Sequence, residues 1–168
     1  MYLEDAPAVD GSSQPPALLD QSRCRYVPHA LGIQVNQTLR IRSSDPTMHN
    51  VHFNPDINPA KNFAMAQAGQ ESTTSFAVPE FIRMKCDVHP WMKAWVGVFD
   101  HPYFSVTADE GEFEIKNVPP GTYKLVAWHE LFGRQEQTVT VAAAGQPDIA
   151  APAAPVNVDF TFGRQPRS

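Results

Sequence analysis

The stretch CDVHPWM, residues 86–92, places a thiol, an imidazole and a thioether three residues apart, at Cys86, His89 and Met92. These groups are soft metal donors, and a thiolate together with a thioether favours copper over magnesium, calcium or manganese. Zinc accepts cysteine and histidine but rarely takes a thioether. The stretch therefore predicts a copper-binding loop, and the alternative is an ordinary turn between two strands.

One imidazole is missing from this loop for a complete blue-copper site. Such a site has two histidines and one cysteine in a trigonal plane, with a weak axial methionine. The upstream segment DPTMHNVHF offers His49 and His52 at the edge of a predicted strand. We therefore expect the second imidazole to reach the 86–92 loop from a neighbouring strand, and the residue types alone leave both candidates open.

The amino-acid composition of the chain indicates which kinds of partner it is not suited to bind. The chain has 168 residues, with 18 acidic against 13 basic residues and a net charge of −5. That balance, without a basic cluster, argues against nucleic acid as a partner. No apolar run approaches the roughly 20 residues of a membrane-spanning helix. The first ten residues lack the basic start and apolar core of a signal peptide, and since MYLE is typical of the middle of a strand, we expect Met1 to mark a trimmed chain.

Short alternating segments, rather than helical periodicity, dominate the chain, and this predicts an all-β fold. Sixteen prolines suit a loop-rich protein of this class. The mixed segment 54–70 is expected to hold one short helix or only a loop. The predicted strands lie in LGIQVNQTLRIRS, STTSFAV, FIRMKC, WVGVFD, GEFEIKNV, TYKLVAWH, QTVTVAA and VNVDFTF.

A change in charge balance indicates a domain boundary near residue 100. Residues 1–99 carry 8 basic and 9 acidic residues, whereas residues 100–168 carry 5 and 9. Such a shift is typical of two separately folded parts. An Ala/Pro-rich connector at 142–155, expected to be semi-extended, precedes the last predicted strand.

The run YVPHALGIQVNQTLRIRSSDPTMHNVHF, followed by MKCDVHPWM, resembles the cupredoxins of the amicyanin and plastocyanin group. This resemblance implies a Greek-key β-sandwich with a copper ion that alternates between Cu⁺ and Cu²⁺. Asn50 would tie the two ligand-bearing segments together, and His52 would be a strand histidine outside the ligand set. The implied copper ligands are His49, Cys86, His89 and Met92.

The C-terminal run FSVTADEGEFEIKNVPPGTYKLVAWHE resembles the carboxypeptidase regulatory-like, transthyretin-like β-sandwich. That family is structural or adhesive, so the resemblance implies no catalytic residue. MYLEDAP is similar to an early strand of the same sandwich, which would make the copper domain an insertion and pair Met1–Glu4 with the C-terminal strands. The predicted domains are an N-terminal strand and linker at 1–20, a cupredoxin domain at 21–99 and a second small β-sandwich at 100–168.

A copper ion held by four protein ligands has no open position for a substrate, so this reading predicts an electron carrier and not an enzyme. Its partners would be a redox donor and a redox acceptor, whose identity the sequence does not give. They would dock on an apolar patch of Pro90 and Trp91 around the ring edge of His89. The resemblance also implies export, to the periplasm or the cell exterior. The alternatives are a copper carrier or storage protein and a non-redox structural module.

Cys24 lies two residues before Tyr26, and a period of two places both side chains on one face of a strand. The cupredoxin resemblance then puts Cys24 on the apolar rim of the copper site. Three roles follow from that position. Cys24 is a packed thiol, a disulfide partner of Cys86 in the metal-free oxidised protein, or an additional copper ligand.

Overall fold

The computed structural model describes residues 1–143 and 155–163, and it divides the chain into two compact units. Unit 1 consists of Met1–Ala6 and Tyr103–Ser168, and unit 2 consists of Pro7–Pro102. Every regular element of the described residues is a β-strand, which confirms the all-β class. No helix within those residues is long and apolar enough to cross a membrane.

The strands of the described residues are short and follow one another through both units. They are β1 (Tyr2–Glu4), β2 (Ala17–Gln21), β3 (Tyr26–Val27), β4 (Ala30–Gln34), β5 (Leu39–Ser43), β6 (His49–Asn54), β7 (Lys61–Met65), β8 (Glu71–Thr74), β9 (Glu80–Lys85), β10 (Lys93–Phe99), β11 (Gly121–His129) and β12 (Gly133–Val141).

Unit 2 is a sandwich of two sheets. One sheet has the order β4-β10-β9-β6-β7, and the other has the order β3-β2-β5-β8. Alternate residues of each strand point inward, as in β5, where Leu39 and Ile41 are buried and Arg40 is exposed. The inward residues of both sheets, among them Leu19 and Phe53, form one hydrophobic cluster. This arrangement is a β-sandwich packed around a single core.

Two features of unit 2 differ from the sequence-based expectations. Its first residue is Pro7 rather than residue 21, because Ala17–Gln21 pairs in parallel with β5 instead of forming a linker. The expectation of a helix or loop throughout 54–70 is wrong, since Lys61–Met65 pairs with β6 as β7. Alternation explains this strand: Phe63 and Met65 point towards the core, and Asn62 and Ala64 are exposed.

Unit 1 contains an antiparallel sheet of order β1-β11-β12 in the described residues. Leu3 of β1 lies opposite Leu125 of β11, which confirms that Met1–Glu4 pairs with the C-terminal part of the chain. Leu3, Leu125 and Val139 form the buried centre of this unit. Its second segment begins at Tyr103, against the expected boundary at residue 100.

Two predicted strands of unit 1 are not strands in the structure. GEFEIKNV and VNVDFTF alternate as expected, and most of their apolar residues pack against the Leu3 cluster: Phe113, Ile115, Val118, Val158 and Phe160. However, the second segment meets β12 through side chains: Gln135 and Gln137 donate hydrogen bonds to the carbonyl oxygens of Thr161 and Asp159. Alternation therefore predicted which side chains pack, but not the main-chain ladder. Residues 144–154 of the predicted connector lie outside the described residues.

Candidate metal centre

The chain folds so that the 86–92 loop and the start of β6 meet at one end of the five-stranded sheet. The loop connects β9 to β10, which pair directly below it at Lys85 and Lys93. Strand β6 runs antiparallel to β9, with His52 opposite Lys85. His49 precedes His52 on β6 and therefore lies beyond the end of β9, beside the loop.

His49, Cys86 and His89 converge as the sequence suggested. Their donor atoms all lie within 4.8 Å of one another. The two Nδ1 atoms are 2.9 Å apart, and Cys86 Sγ is 3.9 Å from His89 Nδ1. His49 and Cys86 are buried, with 0% and 2% of their surface exposed, whereas His89 is partly exposed. The group is therefore closed on the protein side and reaches solvent at one imidazole.

Hydrogen bonding determines which nitrogen of His49 faces this group. Its Nε2 lies 2.9 Å from Oδ2 of Asp45, so Nε2 carries the proton and Nδ1 presents a lone pair. The two Nδ1 atoms, 2.9 Å apart, therefore face each other within the donor group.

Backbone hydrogen bonds fold the 86–92 loop tightly around the thiol. The His89 N–H donates to Cys86 Sγ at 3.4 Å, so the sulfur is held at the mouth of the turn. The Cys86 N–H donates to the Met92 carbonyl at 3.1 Å, and the Met92 N–H donates to the His89 carbonyl at 2.9 Å. Met92 is buried in the same hydrophobic cluster as Cys86. These bonds fix all three loop residues within one small turn.

Asn50 joins β6 to the loop from the side. Its Oδ1 accepts from the Asp87 N–H at 2.7 Å, and its Nδ2 donates to Asp87 Oδ2 at 2.8 Å. The ammonium of Lys85, together with the Asn50 amide, holds the pKa of Asp87 well below its usual range. His52 lies outside the donor group, and its Nδ1 is 3.0 Å from Asp87 Oδ2. Asp87 therefore remains an anion that links the loop to β6.

Asp45 is a component of the centre that the sequence analysis missed. Its carboxylate accepts hydrogen bonds from the N–H groups of Arg23 and Cys24, at 2.7 and 2.8 Å, and from His49. Burial raises the pKa of Asp45, but these three hydrogen bonds outweigh it and the pKa lies below its usual value. Asp45 precedes His49 by four residues, and this spacing alone does not indicate a contact between their side chains. Its contact with residues 23 and 24 arises only from the fold.

Cys24 lies near the centre, but the expectation that it shares a strand face with Tyr26 is wrong. Arg23 and Cys24 have φ angles of 54° and 53° and form the tip of a turn, not a strand. The donor atoms of Cys24, Asp45 and His49 lie within 4.8 Å of one another, in a second group that shares only His49 with the group of Cys86 and His89. Both cysteines are free thiols in this structure.

Exposed apolar side chains lie next to His49 and His89 in the sequence, and one of them contacts the His89 ring. Trp91 is 66% exposed, and the centre of its ring system is 5.1 Å from that of the His89 ring. Its indole N–H donates to the Cys24 carbonyl at 3.2 Å. The other exposed apolar side chains at this end are those of Met48, Val88 and Pro90.

One protein-family model matches a span that includes residues of both units. The family model described as polysaccharide lyase family 4, domain II, matches residues 82–149, a span that includes the 86–92 loop and crosses the boundary at residue 102. None of the curated proteins compared with the chain matches it.

Several solved structures are similar to the chain. A Cu(I) structure of an amicyanin variant is 19% identical, with 57% of this chain and 95% of that chain covered and a TM-score of 0.46. A copper-containing nitrite reductase from Thermus scotoductus SA-01 is 19% identical, with 58% and 25% covered and a TM-score of 0.45. A purple cupredoxin from Nitrosopumilus maritimus is 20% identical, with 49% and 98% covered and a TM-score of 0.43.

Proposed function

We propose that unit 2 is a type 1 (blue) copper protein that carries single electrons between redox partners. The observation that carries this proposal is the convergence of Cys86 Sγ with the two histidine nitrogens within 4.8 Å, at the buried end of a β-sandwich. The cupredoxin-like sequence pattern around His49 and the 86–92 loop supports the same function.

The donor set fits copper better than other common metals. A blue-copper site takes one thiolate, two imidazoles and a thioether, and Met92, buried in the same loop, would supply the thioether. Zinc would accept the first three donors but rarely takes a thioether. We therefore assign His49, Cys86, His89 and Met92 as the ligands. When bound, copper supplies reversible one-electron chemistry between Cu⁺ and Cu²⁺.

The protein's contribution is to hold its donors still and to keep water away. The Asp45 and Asn50 hydrogen bonds and the backbone bonds of the loop hold the ligand-bearing segments in place. Donors that are already in place need little rearrangement when the charge of the metal changes. Because the four assigned ligands leave no position for a substrate, we propose a carrier and not an enzyme.

Electron exchange requires a place where another protein can approach the metal. His89 is the partly exposed ligand of the proposed set, and the exposed Trp91 ring lies beside it. Met48, Val88 and Pro90, which are next to His49 or His89 in the sequence, are also exposed. We propose that the redox donor and acceptor dock on this surface, outside the cytoplasm in an exported protein. Neither metal-binding group of the described residues includes a residue of unit 1. We propose that unit 1 is a structural β-sandwich module of the carboxypeptidase regulatory-like kind.

Copper titration of the purified protein tests this function. We expect one equivalent of Cu²⁺ to produce intense visible absorption from thiolate-to-copper charge transfer and a reversible one-electron potential. Cys86→Ser should abolish the absorption, whereas the matched variant Cys24→Ser should keep it with unchanged stoichiometry. Persistence of the band in Cys86→Ser would refute the ligand assignment, and its loss in Cys24→Ser would make Cys24 a ligand. Rapid copper loss to a chelator would favour the carrier or storage alternative.

A further inference from the structure

The turn between β2 and β3 has an uncommon conformation for its residues. Ser22 and Arg25 exchange two backbone hydrogen bonds, at 2.9 and 3.1 Å, and close a two-residue loop at Arg23 and Cys24. Both loop residues have positive φ angles, 54° and 53°, as in a type I′ turn. Such turns favour Asn-Gly because other side chains are strained at positive φ. Strain of this kind persists only where the surroundings enforce it.

The N–H groups of this turn hold the residue that orients His49. Those of Arg23 and Cys24 point to the same side and donate to the two oxygens of Asp45 at 2.7 and 2.8 Å. Successive N–H groups in a turn form a small concavity that binds anions. Asp45 in turn contacts Nε2 of His49 at 2.9 Å. The turn therefore reaches the first imidazole through one carboxylate.

The carbonyl group of the same turn holds the loop that carries the second imidazole. The Trp91 indole N–H donates to the Cys24 carbonyl at 3.2 Å. Trp91 follows His89 by two residues, and the two rings lie 5.1 Å apart. This bond restrains a side chain that is 66% exposed and would otherwise be free to change rotamer.

We propose that the turn Ser22–Arg25 is a shared brace that sets the positions of both imidazoles, with Asp45 and Trp91 as positioning residues. One rigid turn then controls the distance between the two Nδ1 atoms, which is 2.9 Å in this structure. The contacts are made by backbone groups of the turn and do not need the Cys24 thiol. The nearness of Cys24 to Asp45 and His49 follows from this geometry without any ligand role. The meaning of the brace for copper rests on the proposed function.

Metal-free protein provides the first test, because side-chain dynamics of His49 and His89 can be measured there by nuclear magnetic resonance. Insertion of one glycine between Arg23 and Cys24 would redirect the N–H and carbonyl groups, and we expect both imidazoles to become more mobile. The matched control is the double variant Arg23→Gly/Cys24→Gly, which keeps every backbone group and removes the strain. It should leave both imidazoles as rigid as in the wild type.

Single substitutions separate the two connections of the brace, which run through Asp45 to His49 and through Trp91 to His89. Asp45→Asn should loosen His49 and speed amide exchange at Arg23 and Cys24, with little effect on His89. Trp91→Phe keeps an aromatic ring but removes the indole donor, and it should loosen His89 alone. Each of these two substitutions should lower copper affinity roughly tenfold, as is typical when a residue that orients a metal ligand is replaced. In the glycine-insertion protein, the same two substitutions should have little further effect, because the brace is already lost.

The outcomes distinguish the brace from the function that it would serve. If the insertion loosens only one imidazole, or if both substitutions keep their full effects in the insertion protein, the shared brace is refuted. If both imidazoles loosen but the wild type gives no thiolate-to-copper band, the brace stands and the proposed function fails. If the band forms and the insertion leaves its position and the copper affinity unchanged, the brace is refuted and the function stands.

Discussion

At the scale of single residues, the two nitrogens of His49 have different tasks. Nε2 is held by Asp45 at 2.9 Å, and this contact leaves Nδ1 as the donor that faces Cys86 and His89. His49 is completely buried, so an ordering partner at Nε2 also satisfies a polar atom that would be costly to leave without one. One hydrogen bond thus serves both the folding of the chain and the chemistry of the site.

If Met92 is a copper ligand, its thioether should influence the reduction potential of the copper-loaded protein. Met92→Leu conserves volume, so we expect a folding cost of less than about 1.5 kcal/mol. Loss of the thioether should weaken the oxidised state more than the reduced state and raise the reduction potential, since the axial ligand tunes it. Voltammetry of the copper-loaded variant measures this shift. Met84→Leu, in the same buried cluster, is the control, and an equal shift there would contradict an axial role for Met92.

Gln21 offers a test of the core of unit 2, beside the turn Ser22–Arg25. Its side chain is completely buried, and its Oε1 and Nε2 have no hydrogen-bond partner among the described residues. A buried polar group without a partner costs about 1–3 kcal/mol. We therefore expect Gln21→Met to raise the free energy of unfolding of the metal-free protein by about 1 kcal/mol in urea denaturation.

Gln34 is the matched control for this substitution. It is also buried, but its Nε2 donates to the Val9 carbonyl at 2.9 Å. Gln34→Met should therefore lower the free energy of unfolding. A loss of stability in Gln21→Met as well would mean that the Gln21 amide has a partner, such as a buried water molecule.

The sequence singled out the loop residues of the candidate site, and one support, Asn50, but it did not reveal Asp45. Cys86, His89 and Met92 were visible because the spacing of soft donors is unusual within one short loop. Asp45 was not, since its significance depends on backbone N–H groups of Arg23 and Cys24 that only the fold brings to it. Backbone donors leave no mark in a sequence, and a turn with positive φ at two non-glycine residues violates the preferences on which turn prediction rests.

At the scale of elements, a carboxylate anchors the loop that precedes β7. Glu80 at the start of β9 accepts from the N–H groups of Asp56, Ile57 and Asn58, at 2.9, 3.1 and 2.8 Å. Burial raises the pKa of Glu80, but the hydrogen bonds from Asn58 and its neighbours outweigh it, so the pKa is below its usual value. This anchor stabilises the fold only while Glu80 is ionised.

The sign of the resulting pH dependence follows from that lowered pKa. The folded state binds the Glu80 proton less tightly than the unfolded state, so its contribution is complete above the unfolded pKa and is lost as pH falls through the folded pKa. We expect Glu80→Gln to lower the free energy of unfolding by about 1–2 kcal/mol near neutral pH. Urea titrations should show this difference shrinking below about pH 4. Glu71→Gln, at an exposed position of β8, is the control, and a difference independent of pH would contradict the anchor.

Strands could be predicted from the sequence where alternating apolar residues also pair with a neighbouring strand through the backbone. The segments that became β9, β10, β11 and β12 were all identified as strands from the sequence. LGIQVNQTLRIRS was read as one alternating run, but a turn with Asn36 at a φ of 61° divides it into β4 and β5. GEFEIKNV shows the opposite failure, because its alternating residues pack on a core without joining a sheet. Alternation reports which side chains are buried, and the hydrogen-bond ladder is a separate condition.

At the scale of the whole molecule, unit 1 is assembled from two distant parts of the chain. Met1–Ala6 belongs to it together with the residues from Tyr103 onward, and the whole of unit 2 lies between them in sequence. The β1–β11 pairing therefore closes a long loop, which costs chain entropy before its contacts form. The charge shift near residue 100 indicated that a boundary exists. It carried no information on the N-terminal strand, whose place was suggested only by its likeness to a sandwich strand.

The last prediction uses the two separate cores. Leu3 is buried in the cluster of unit 1, and Leu19 is buried in the cluster of unit 2. Replacement of either residue with alanine should cost about 2–4 kcal/mol, because it leaves a cavity. Hydrogen exchange measured segment by segment should show lost protection in β11 and β12 for Leu3→Ala, and in β2 and β5 for Leu19→Ala. Since the assigned ligands all belong to unit 2, the copper spectrum of Leu3→Ala should match the wild type, and a changed spectrum would contradict the confinement of the site to that unit.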